Sequence, residues 1–363
     1  MEAQTPLLEN MASSLRHEHS SSPSEETPLL REKALFPSAH TVRSKTNGPG
    51  MRFPQTIAHR GYKNKYPENT MGAFKGAVEA GSHAIETDLH LSRDGVVVIS
   101  HDATLKRCFG VNKYVIDCDW AYLKTLRTLK EPHDRMPRLV DVLEYLASPG
   151  LEEIWLLLDI KLDNDPATIM RRIAETIESV PPGKRPWHER VVLGCWSAKH
   201  LPLARTYLPD FPITLITFSI SYARQFLSIP NVSFNINQKV LMGPLGAGFL
   251  EEAKAAGRPV FVWTVNKRPY MRWCVRKHVD GVVTDDPALF RAMCDEWDDD
   301  DDDDNNDDEK DRITLREHVE LLFVAVVVLL FGWLKTRHLP PVDGYRVALL
   351  QSTAVGVGQE KKM

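Results

Sequence analysis

Short runs rich in β-branched and aromatic residues alternate with amphipathic, helix-like stretches from Ile57 to Asp286. In chain order the runs are TIAHRG, HAIETDL, GVVVIS, EIWLLLDIK, RVVLGCW, ITLITF, VSFNIN, PVFVWTV and DGVVTD. Alternation of strands with helices predicts a parallel sheet, and about eight such units predict a closed barrel inside a ring of helices. The chain is therefore predicted to be an α/β protein with a (β/α)8 TIM-barrel fold.

Nine candidate strands are one too many for such a barrel, and the second and third lie unusually close in sequence. Only HLSRDG separates them, whereas a crossover between parallel strands needs about a dozen residues. We therefore predict an antiparallel β-hairpin beside the barrel. With Arg93 and Asp94 at its tip, Glu86 would lie opposite His101.

The length of 363 residues and the hydrophobic content of 43% suit one barrel of roughly 250 residues with tails. The first 51 residues are rich in Ser, Pro and Glu, which predicts disorder. Within them, Glu25 and Leu29-Leu30 have the spacing of an acidic dileucine sorting signal, although so short a motif mostly matches by accident. The predicted domains are a disordered tail (1–51), the barrel (52–294), an acidic linker (295–317), a membrane-anchor helix (318–338) and a C-terminal tail (339–363).

The net charge of -4 hides an uneven distribution. Asp295 to Asp311 contains 13 acidic residues and one lysine, so the rest of the chain carries a charge of +8. A mildly basic body suits an anionic lipid surface or a phosphate-bearing substrate, and a solvated mixed surface explains it almost as well. No nucleic-acid partner is predicted. Five cysteines without a CxxC pair, and no signal-peptide core, indicate a reduced, intracellular protein.

An uncharged run of 14 residues, Leu321 to Leu334, follows the acidic linker. As a helix it would cover roughly 21 Å of a hydrocarbon core about 30 Å thick, which is marginal for a span. Snorkelling of Glu320, Lys335 and Arg337 would lengthen it. The alternative is a buried core helix. We predict an anchor, spanning or monotopic, in an intracellular membrane (endoplasmic reticulum, lipid droplet or mitochondrial outer membrane) with the barrel facing the cytosol.

Carboxylates interrupt two of the apolar strands. Glu86 and Asp88 point to the same side of one strand, and Asp159 and Lys161 share a side of another. Three acids at the carboxyl end of a barrel would repel one another unless a cation neutralised them, and oxygen ligands suit one Mg²⁺ or Ca²⁺. An ion-pair network with Lys161 and Arg60 explains the same pattern equally well.

Two histidines close apolar runs, where barrel enzymes keep their catalytic groups. His59 ends the first strand and His101 follows the third. Two imidazoles can act as general base and general acid near neutral pH. Arg60 and Lys161 supply donors for an anionic phosphate.

Several motifs resemble those of the glycerophosphodiester phosphodiesterases. They are HRG (59–61), PENT (67–70), ETD (86–88), SHD (100–102), LDIK (158–161), VWTVN (262–266) and GVVTDDP (281–287), in the order of that family. Together with the C-terminal apolar run, the chain looks most like the fungal phosphatidylglycerol phospholipase C branch.

The resemblance implies roles for the same positions. His59 and His101 would be the catalytic pair, Arg60 and Lys161 would contact phosphate, and one divalent cation would be held by Glu86, Asp88 and Asp159. The family usually has glutamate where Asp159 stands, and aspartate is one methylene shorter. The resemblance also places Glu68 near the metal and Asn69 in support of the site.

Four further residues have local interpretations. Asn69 is a plausible N-cap of the helix that follows it. Trp263 could wall a substrate cavity or belong to the core. Asp285 and Asp286 precede Pro287 and are predicted to cap a helix there.

The leading hypothesis is hydrolysis of phosphatidylglycerol to diacylglycerol and a glycerol phosphate at a membrane surface. The alternative is a glycerophosphodiester phosphodiesterase or a lysophospholipase D that acts on other head groups. A different class, a noncatalytic membrane tether that binds lipid, is disfavoured by the intact histidines and carboxylates.

Overall fold

The structure, a computed structural model, describes Phe36 and residues 40–42, 51–297, 312–336 and 339–342. The side chains of residues 40–42, 51 and 328–336 are outside that description. Most of the predicted disordered tail, including its dileucine-like motif, also lies outside the described residues, as do most of the acidic linker and nearly all of the C-terminal tail. Residues 40–42 of that tail form a strand, so the prediction of disorder is wrong there.

Eight parallel strands form a closed barrel, because the first barrel strand pairs with both the second and the last. The strands are β3 (Gln55–His59), β4 (Ala84–Leu91), β6 (Trp155–Ile160), β7 (Val191–Cys195), β8 (Ile213–Thr217), β9 (Val232–Asn237), β10 (Val260–Trp263) and β11 (Gly281–Thr284). Two short strands, β1 (His40–Val42) and β2 (Met51–Phe53), form a separate antiparallel pair. The predicted TIM barrel is confirmed.

The extra strand, β5 (Val97–Ile99), pairs antiparallel with the end of β4, which confirms the predicted hairpin. The predicted register is wrong by one residue, because His90 and not Leu89 faces Val98. The tip is a three-residue turn in which Gly95 adopts a φ of +78°, a conformation that favours glycine and adds one residue to the connection. Glu86 is therefore not opposite His101. Instead, the carbonyl of Asp88 accepts the Ser100 amide at 3.0 Å.

The helices surround the barrel and follow its strands in chain order. They are α1 (Met71–Glu79), α2 (Lys106–Phe109), α3 (Trp120–Leu123), α4 (Leu139–Leu146), α5 (Pro166–Glu178), α6 (His200–Tyr207), α7 (Ile220–Phe226), α8 (Gln238–Leu241), α9 (Gly246–Ala255), α10 (Arg268–Arg276), α11 (Pro287–Glu296) and α12 (Leu315–Thr336).

Two predicted caps have different outcomes. Asp286 caps α11 by accepting the Leu289 amide at 3.1 Å, as predicted. Asn69 does not cap α1, because Thr70 is the N-cap and accepts the Ala73 amide at 3.2 Å. The Asn69 side chain is bonded elsewhere, to a carboxylate at the barrel mouth.

The barrel interior is apolar at its amino end and polar at its carboxyl end. Seven buried apolar residues fill the lower part, namely Ile57, Ala84, Trp155, Leu157, Val192, Phe261 and Val283. Because side chains alternate along a strand, the next inward positions on β3, β4 and β6 are those of His59, Glu86 and Asp159. The fold therefore directs these polar side chains to the mouth.

A segment that we call the rim cap, residues 100–138, connects β5 to α4 above the mouth. Five of its residues form a small core with Val98 of β5, namely Leu105, Val115, Cys118, Leu123 and Met136. Lys130 ties it to the β3–α1 loop by donating to the carbonyls of Lys63 at 3.1 Å and Tyr66 at 3.0 Å.

Helix α12 begins at Leu315 and contacts α8 with its first turns. Leu321 and Ala325 are buried, and Lys267 Nζ lies 2.7 Å from Glu317 Oε1. Among the residues that the structure describes, no helix combines the length and apolar character that a membrane span requires. The predicted anchor, residues 318–338, falls partly on side chains outside that description.

Candidate active site

Three buried carboxylates meet at the barrel mouth. Glu86 and Asp88 on β4 and Asp159 on β6 each offer an oxygen, and these oxygens lie within 4.8 Å of one another. Parallel pairing of β4 with β6 sets Asp88 directly beside Asp159. The predicted triad is therefore brought together.

Lys161 and Arg60 neutralise part of this charge. Lys161 Nζ lies 2.6 Å from both Asp88 Oδ1 and Asp159 Oδ2, and Arg60 Nε lies 3.2 Å from Asp88 Oδ2. Three carboxylates thus face two cationic side chains. The ion-pair network that the sequence left open is present, and because Arg60 also pairs with Glu68, the acids outnumber the cations.

Of the three acids, Glu86 makes no ion pair with either cationic side chain among the described residues. One oxygen accepts the Arg60 backbone amide at 2.8 Å, and its other oxygen makes no hydrogen bond to any residue that the structure describes. Burial, with repulsion from Asp88 and Asp159, raises the pKa of Glu86 well above its usual value. Burial likewise raises the pKa of Asp159, whereas Lys161 and Arg60 outweigh burial and lower the pKa of Asp88.

The donor set fits a hard divalent cation. It consists only of carboxylate oxygens, one of them unbonded, and the charge of a cation would oppose both the burial and the repulsion that raise the pKa of Glu86. Asp159 accepts bonds from Lys161 and from Trp196 Nε1 at 2.7 Å. A carboxylate oxygen has two lone pairs, so these bonds leave capacity for an ion.

His59 lies at the end of β3 and is held by a carboxylate that directly follows the last strand, β11. Its Nδ1 is 2.6 Å from Asp285 Oδ1. Burial alone would raise the pKa of Asp285, but the His59 bond outweighs burial and lowers it to about 2, so the carboxylate accepts and Nδ1–H donates. Burial lowers the pKa of His59. A neutral His59 therefore keeps a lone pair on Nε2.

His101 follows the hairpin and is held by its own neighbour in sequence. Its Nδ1 is 2.8 Å from Asp102 Oδ1. Burial lowers the pKa of His101, and the charge of Asp88 opposes this shift. The charge of Asp88 raises the pKa of both His59 and His101. Both imidazoles therefore lie within electrostatic range of the same carboxylate.

Glu68 is bonded by two arginines. Its carboxylate accepts from Arg60 at 2.8 Å and from both terminal nitrogens of Arg107 at 2.8 Å. Burial would raise the pKa of Glu68, but bonds from Arg107 and Arg60 outweigh it and lower the pKa to about 2. The structure thus places Glu68 in an arginine clamp, and its predicted position near a metal stays a prediction.

Three aromatic rings stand on the side of the mouth that Asp159 occupies. Trp196, Phe218 and Trp263 have ring-centroid separations of 4.9 to 5.7 Å. Trp263 donates to the Asn235 carbonyl at 3.0 Å, and Phe218 is 45% exposed. The rings form a wall beside the carboxylates, and contact of Trp263 with a substrate stays a prediction.

Sequence reasoning missed the roles of four residues in this site. Asp285 was assigned only a capping role, and Asp102, Arg107 and Trp196 had none. A signal was available for Asp285, because one of two adjacent aspartates suffices to cap α11. Asn69 does support the site, by donating to Asp88 Oδ2 at 2.7 Å.

Comparison with known proteins identifies the family. A profile of the "Glycerophosphoryl diester phosphodiesterase family" matches residues 59–289. A Caldanaerobacter subterraneus protein named "Glycerophosphodiester phosphodiesterase" is 27% identical over 243 residues, covering 64% of this chain and 93% of its own length. A human protein named "Lysophospholipase D GDPD1" is 25% identical over 279 residues, covering 65% and 84%.

Solved structures share the barrel. An Oleispira antarctica phosphodiesterase in complex with the product sn-glycerol-3-phosphate has a TM-score of 0.60 and 22% identity, covering 67% of this chain and 98% of that one. A Thermotoga maritima glycerophosphodiester phosphodiesterase has a TM-score of 0.53 and 26% identity, covering 66% and 98%. Members of the family use a divalent metal. The chain therefore belongs to the glycerophosphoryl diester phosphodiesterase family and is a phosphodiester hydrolase.

Proposed function

We propose that the enzyme hydrolyses glycerophosphodiesters that carry a free hydroxyl beside the phosphate, in particular lysophospholipids, and releases the head-group alcohol. The observation that carries the proposal is the pair of histidines, each oriented by a carboxylate, around three acids and two cations. The relatives named as glycerophosphodiester phosphodiesterase and lysophospholipase D support this substrate class.

The residues have separate tasks in this proposal. Glu86, Asp88 and Asp159 would hold a divalent cation, which when bound supplies positive charge to a phosphate oxygen. Arg60 and Lys161 offset the charge that builds on the phosphoryl group. Because both side chains already pair with the acids, their positions are fixed before the substrate binds.

The proposed chemistry uses the hydroxyl of the substrate itself. One histidine takes the proton of the hydroxyl, the hydroxyl oxygen bonds to phosphorus, and the bond from phosphorus to the departing alcohol breaks. The other histidine donates its proton to that alcohol, and water then opens the cyclic phosphate. Internal attack makes the step intramolecular, which raises the effective concentration of the nucleophile.

The exposed fractions of the two histidine side chains indicate which histidine abstracts the proton and which donates it. The side chain of His59 is 11% exposed and that of His101 is 35% exposed. A leaving alcohol must reach solvent, so we assign proton donation to His101 and proton abstraction to His59. Burial lowers the pKa of both imidazoles, but the charge of Asp88 opposes this shift more strongly at His101 than at His59, which favours His59 as the base and His101 as the acid.

A second candidate is the phospholipase C reaction on phosphatidylglycerol. There the 2-hydroxyl of the glycerol head group would attack, and diacylglycerol would leave. The apolar run from Leu321 to Leu334 favours a lipid in a membrane as substrate. We further propose that this run anchors the enzyme to an intracellular membrane with the barrel in the cytosol.

Product analysis separates the two. The enzyme is incubated with lysophosphatidylcholine, glycerophosphocholine and phosphatidylglycerol, with and without a chelator. Choline release from the first two supports the leading proposal, and diacylglycerol from the third supports the second. Absence of metal-dependent turnover on all three would reject both and leave the noncatalytic lipid tether.

A further inference from the structure

We infer that the carboxyl-end face of the barrel docks directly on an anionic phospholipid bilayer, so that the catalytic mouth opens onto the lipid surface. The inference rests on the proposed lipid substrate but concerns a surface and not the reaction. It is carried by the distribution of apolar and cationic side chains over the described residues.

The exposed large apolar side chains are not scattered over the molecule. Every one found among the described residues follows the carboxyl end of a strand or belongs to α12, and together these are Tyr114, Ile116, Tyr122, Leu129, Leu162, Phe218, Leu245, Leu315, Val319, Leu322, Phe323 and Val326. Single exposed apolar residues need no explanation, but their concentration at one end marks an interaction surface.

Several of these side chains border the catalytic residues. Leu162 follows Lys161, which contacts two of the acids. Phe218 packs against Trp263 with a centroid distance of 4.9 Å. A bilayer seated on these side chains would therefore face the mouth.

Helix α12 continues the same surface. Val319, Leu322, Phe323 and Val326 are exposed at helical spacing, whereas Leu321 and Ala325 are buried on the other side. The base of α12 is tied to the mouth, because Glu317 pairs with Lys267 at 2.7 Å and the adjacent Asn266 donates to Asp285 at 2.9 Å.

Cationic side chains accompany the apolar ones in the rim cap. The segment holds eight Lys or Arg residues against five Asp or Glu residues. Lys106, Lys124, Arg127 and Arg135 make no ion pair within the described part of the chain. Lys124, Arg127 and Arg135 line a groove of about 690 Å³ together with Trp120 and Met136. The groove also contains Asp134 and the ion pair of Arg138 with Asp141, so its cations still outnumber its acids. Apolar side chains beside unpaired cations match the boundary between acyl chains and anionic head groups.

The orientation of the bound protein tests the inference. A polarity-sensitive fluorophore is attached to I116C in the rim cap and, as a control, to K184C between α5 and β7 at the opposite end. The unsubstituted protein, labelled in parallel, corrects for the native thiols. On vesicles of phosphatidylcholine with phosphatidylserine, we expect a blue shift at position 116 and none at 184.

A vesicle-bound protein without a shift at position 116, or with equal shifts at both positions, would overturn the inference. Absence of binding to any vesicle would overturn it as well. Each labelled protein is checked by its thermal unfolding midpoint, and a destabilised I116C is replaced by L129C.

Charge gives a second test. The double substitution K124Q/R127Q should weaken binding to phosphatidylserine-containing vesicles by about thirtyfold, whereas K184Q should leave it unchanged. An equal effect of the two changes would contradict the assigned face. Turnover of soluble glycerophosphocholine by the unsubstituted enzyme is measured separately, so that an enzyme that binds vesicles without turnover refutes the proposed function and not the docking surface.

Discussion

The two histidines of the site are held in contrasting ways. His59 belongs to a barrel strand, is almost buried, and is bonded to Asp285, which directly follows the last barrel strand, β11. His101 follows a hairpin that is added to the barrel, is one-third exposed, and is bonded to its neighbour Asp102. The barrel thus fixes one imidazole, and the rim cap positions the other.

We call His59 with Asp285 the inner arm of the site, and His101 with Asp102 and Arg107 the outer arm. The inner arm depends on strand register, which cannot change without breaking the barrel. The outer arm depends on side chains in the rim cap, where Arg107 donates to Asp102 at 2.7 Å. We expect substitutions in the inner arm to cost more turnover than equivalent ones in the outer arm.

The largest effect is expected from H59A. Loss of the proposed base should lower kcat on a soluble glycerophosphodiester by about 10³- to 10⁴-fold. The fold should persist, because Asp285 keeps a bond from Asn266 at 2.9 Å. An unchanged thermal unfolding midpoint is the control, and retained turnover would exclude His59 from the chemistry.

The matched pair D285N and D102N compares the two arms directly. Asn can donate to Nδ1 and so favours the wrong tautomer of the histidine. We expect a loss in kcat of about 10²- to 10³-fold for D285N and about tenfold for D102N. Steady-state kinetics on the same substrate measures both, and a larger loss for D102N would reverse the proposed ranking.

The pH dependence of kcat/KM distinguishes the arms without any substitution. Burial lowers the pKa of His59 from its ordinary value of 6.5, and a base must be deprotonated to act. The acidic limb should therefore have its midpoint below pH 6.5. D285N removes a bond that raises this pKa, so the limb should move further toward acid, and a shift toward base would contradict the assignment.

Arg107 is expected to act as a positioning residue of the outer arm. R107K should lower kcat by about threefold to tenfold, since Lys cannot bond Asp102 and Glu68 together. Lys keeps the positive charge but bonds Asp102 less closely, so the Asp102 carboxylate acts more strongly on His101 and the basic limb of the pH profile should move upward. R93A, which removes an ion pair with Asp119 in the same cap, should change neither. A basic limb that stays in place in R107K would reduce Arg107 to a structural role.

Glu68 joins Arg60, the neighbour of His59 in sequence, to Arg107 of the outer arm and contacts neither histidine, so its effect should appear mainly in stability. Its pKa in the folded protein is about 2 against an ordinary 4.5. A lowered acid pKa stabilises the fold above pH 4.5, and this contribution falls as the pH drops toward 2. E68Q should reduce the free energy of unfolding by on the order of 3 kcal/mol at pH 7.

Chemical denaturation of E68Q and the unsubstituted protein at pH 7 and pH 3 measures this difference. It should shrink at pH 3. A difference that stays constant with pH would mean that the Glu68 charge is not what stabilises the fold.

Features governed by local periodicity were predictable from the sequence. Strand-helix alternation predicted the barrel, and inward spacing on β4 and β6 predicted that Glu86, Asp88 and Asp159 converge. The hairpin was predictable because the connection between the two runs is too short for a parallel crossover. Its register was not predictable, because the additional turn residue, Gly95, shifts every pairing by one. The N-cap was misplaced because Asn69 forms a tertiary bond to Asp88.

Contacts between distant strands were not predictable. His59 and Asp285 are separated by 226 residues and meet only because β11 closes the barrel against β3. The Trp196 bond to Asp159 likewise depends on the register between β6 and β7. Local propensity contains no information on such pairs. The anchor, the metal identity and the individual site roles stay predictions.

The most direct test of the central claim, two histidines that divide proton transfer at one phosphorus, uses leaving-group dependence. Turnover of H59A and H101A is compared on glycerophosphocholine and on a glycerol phosphodiester with a p-nitrophenol leaving group, which departs without a proton. We predict that the activated substrate restores most of the lost rate in H101A and little in H59A. Equal deficits of both variants on both substrates would contradict the division of roles.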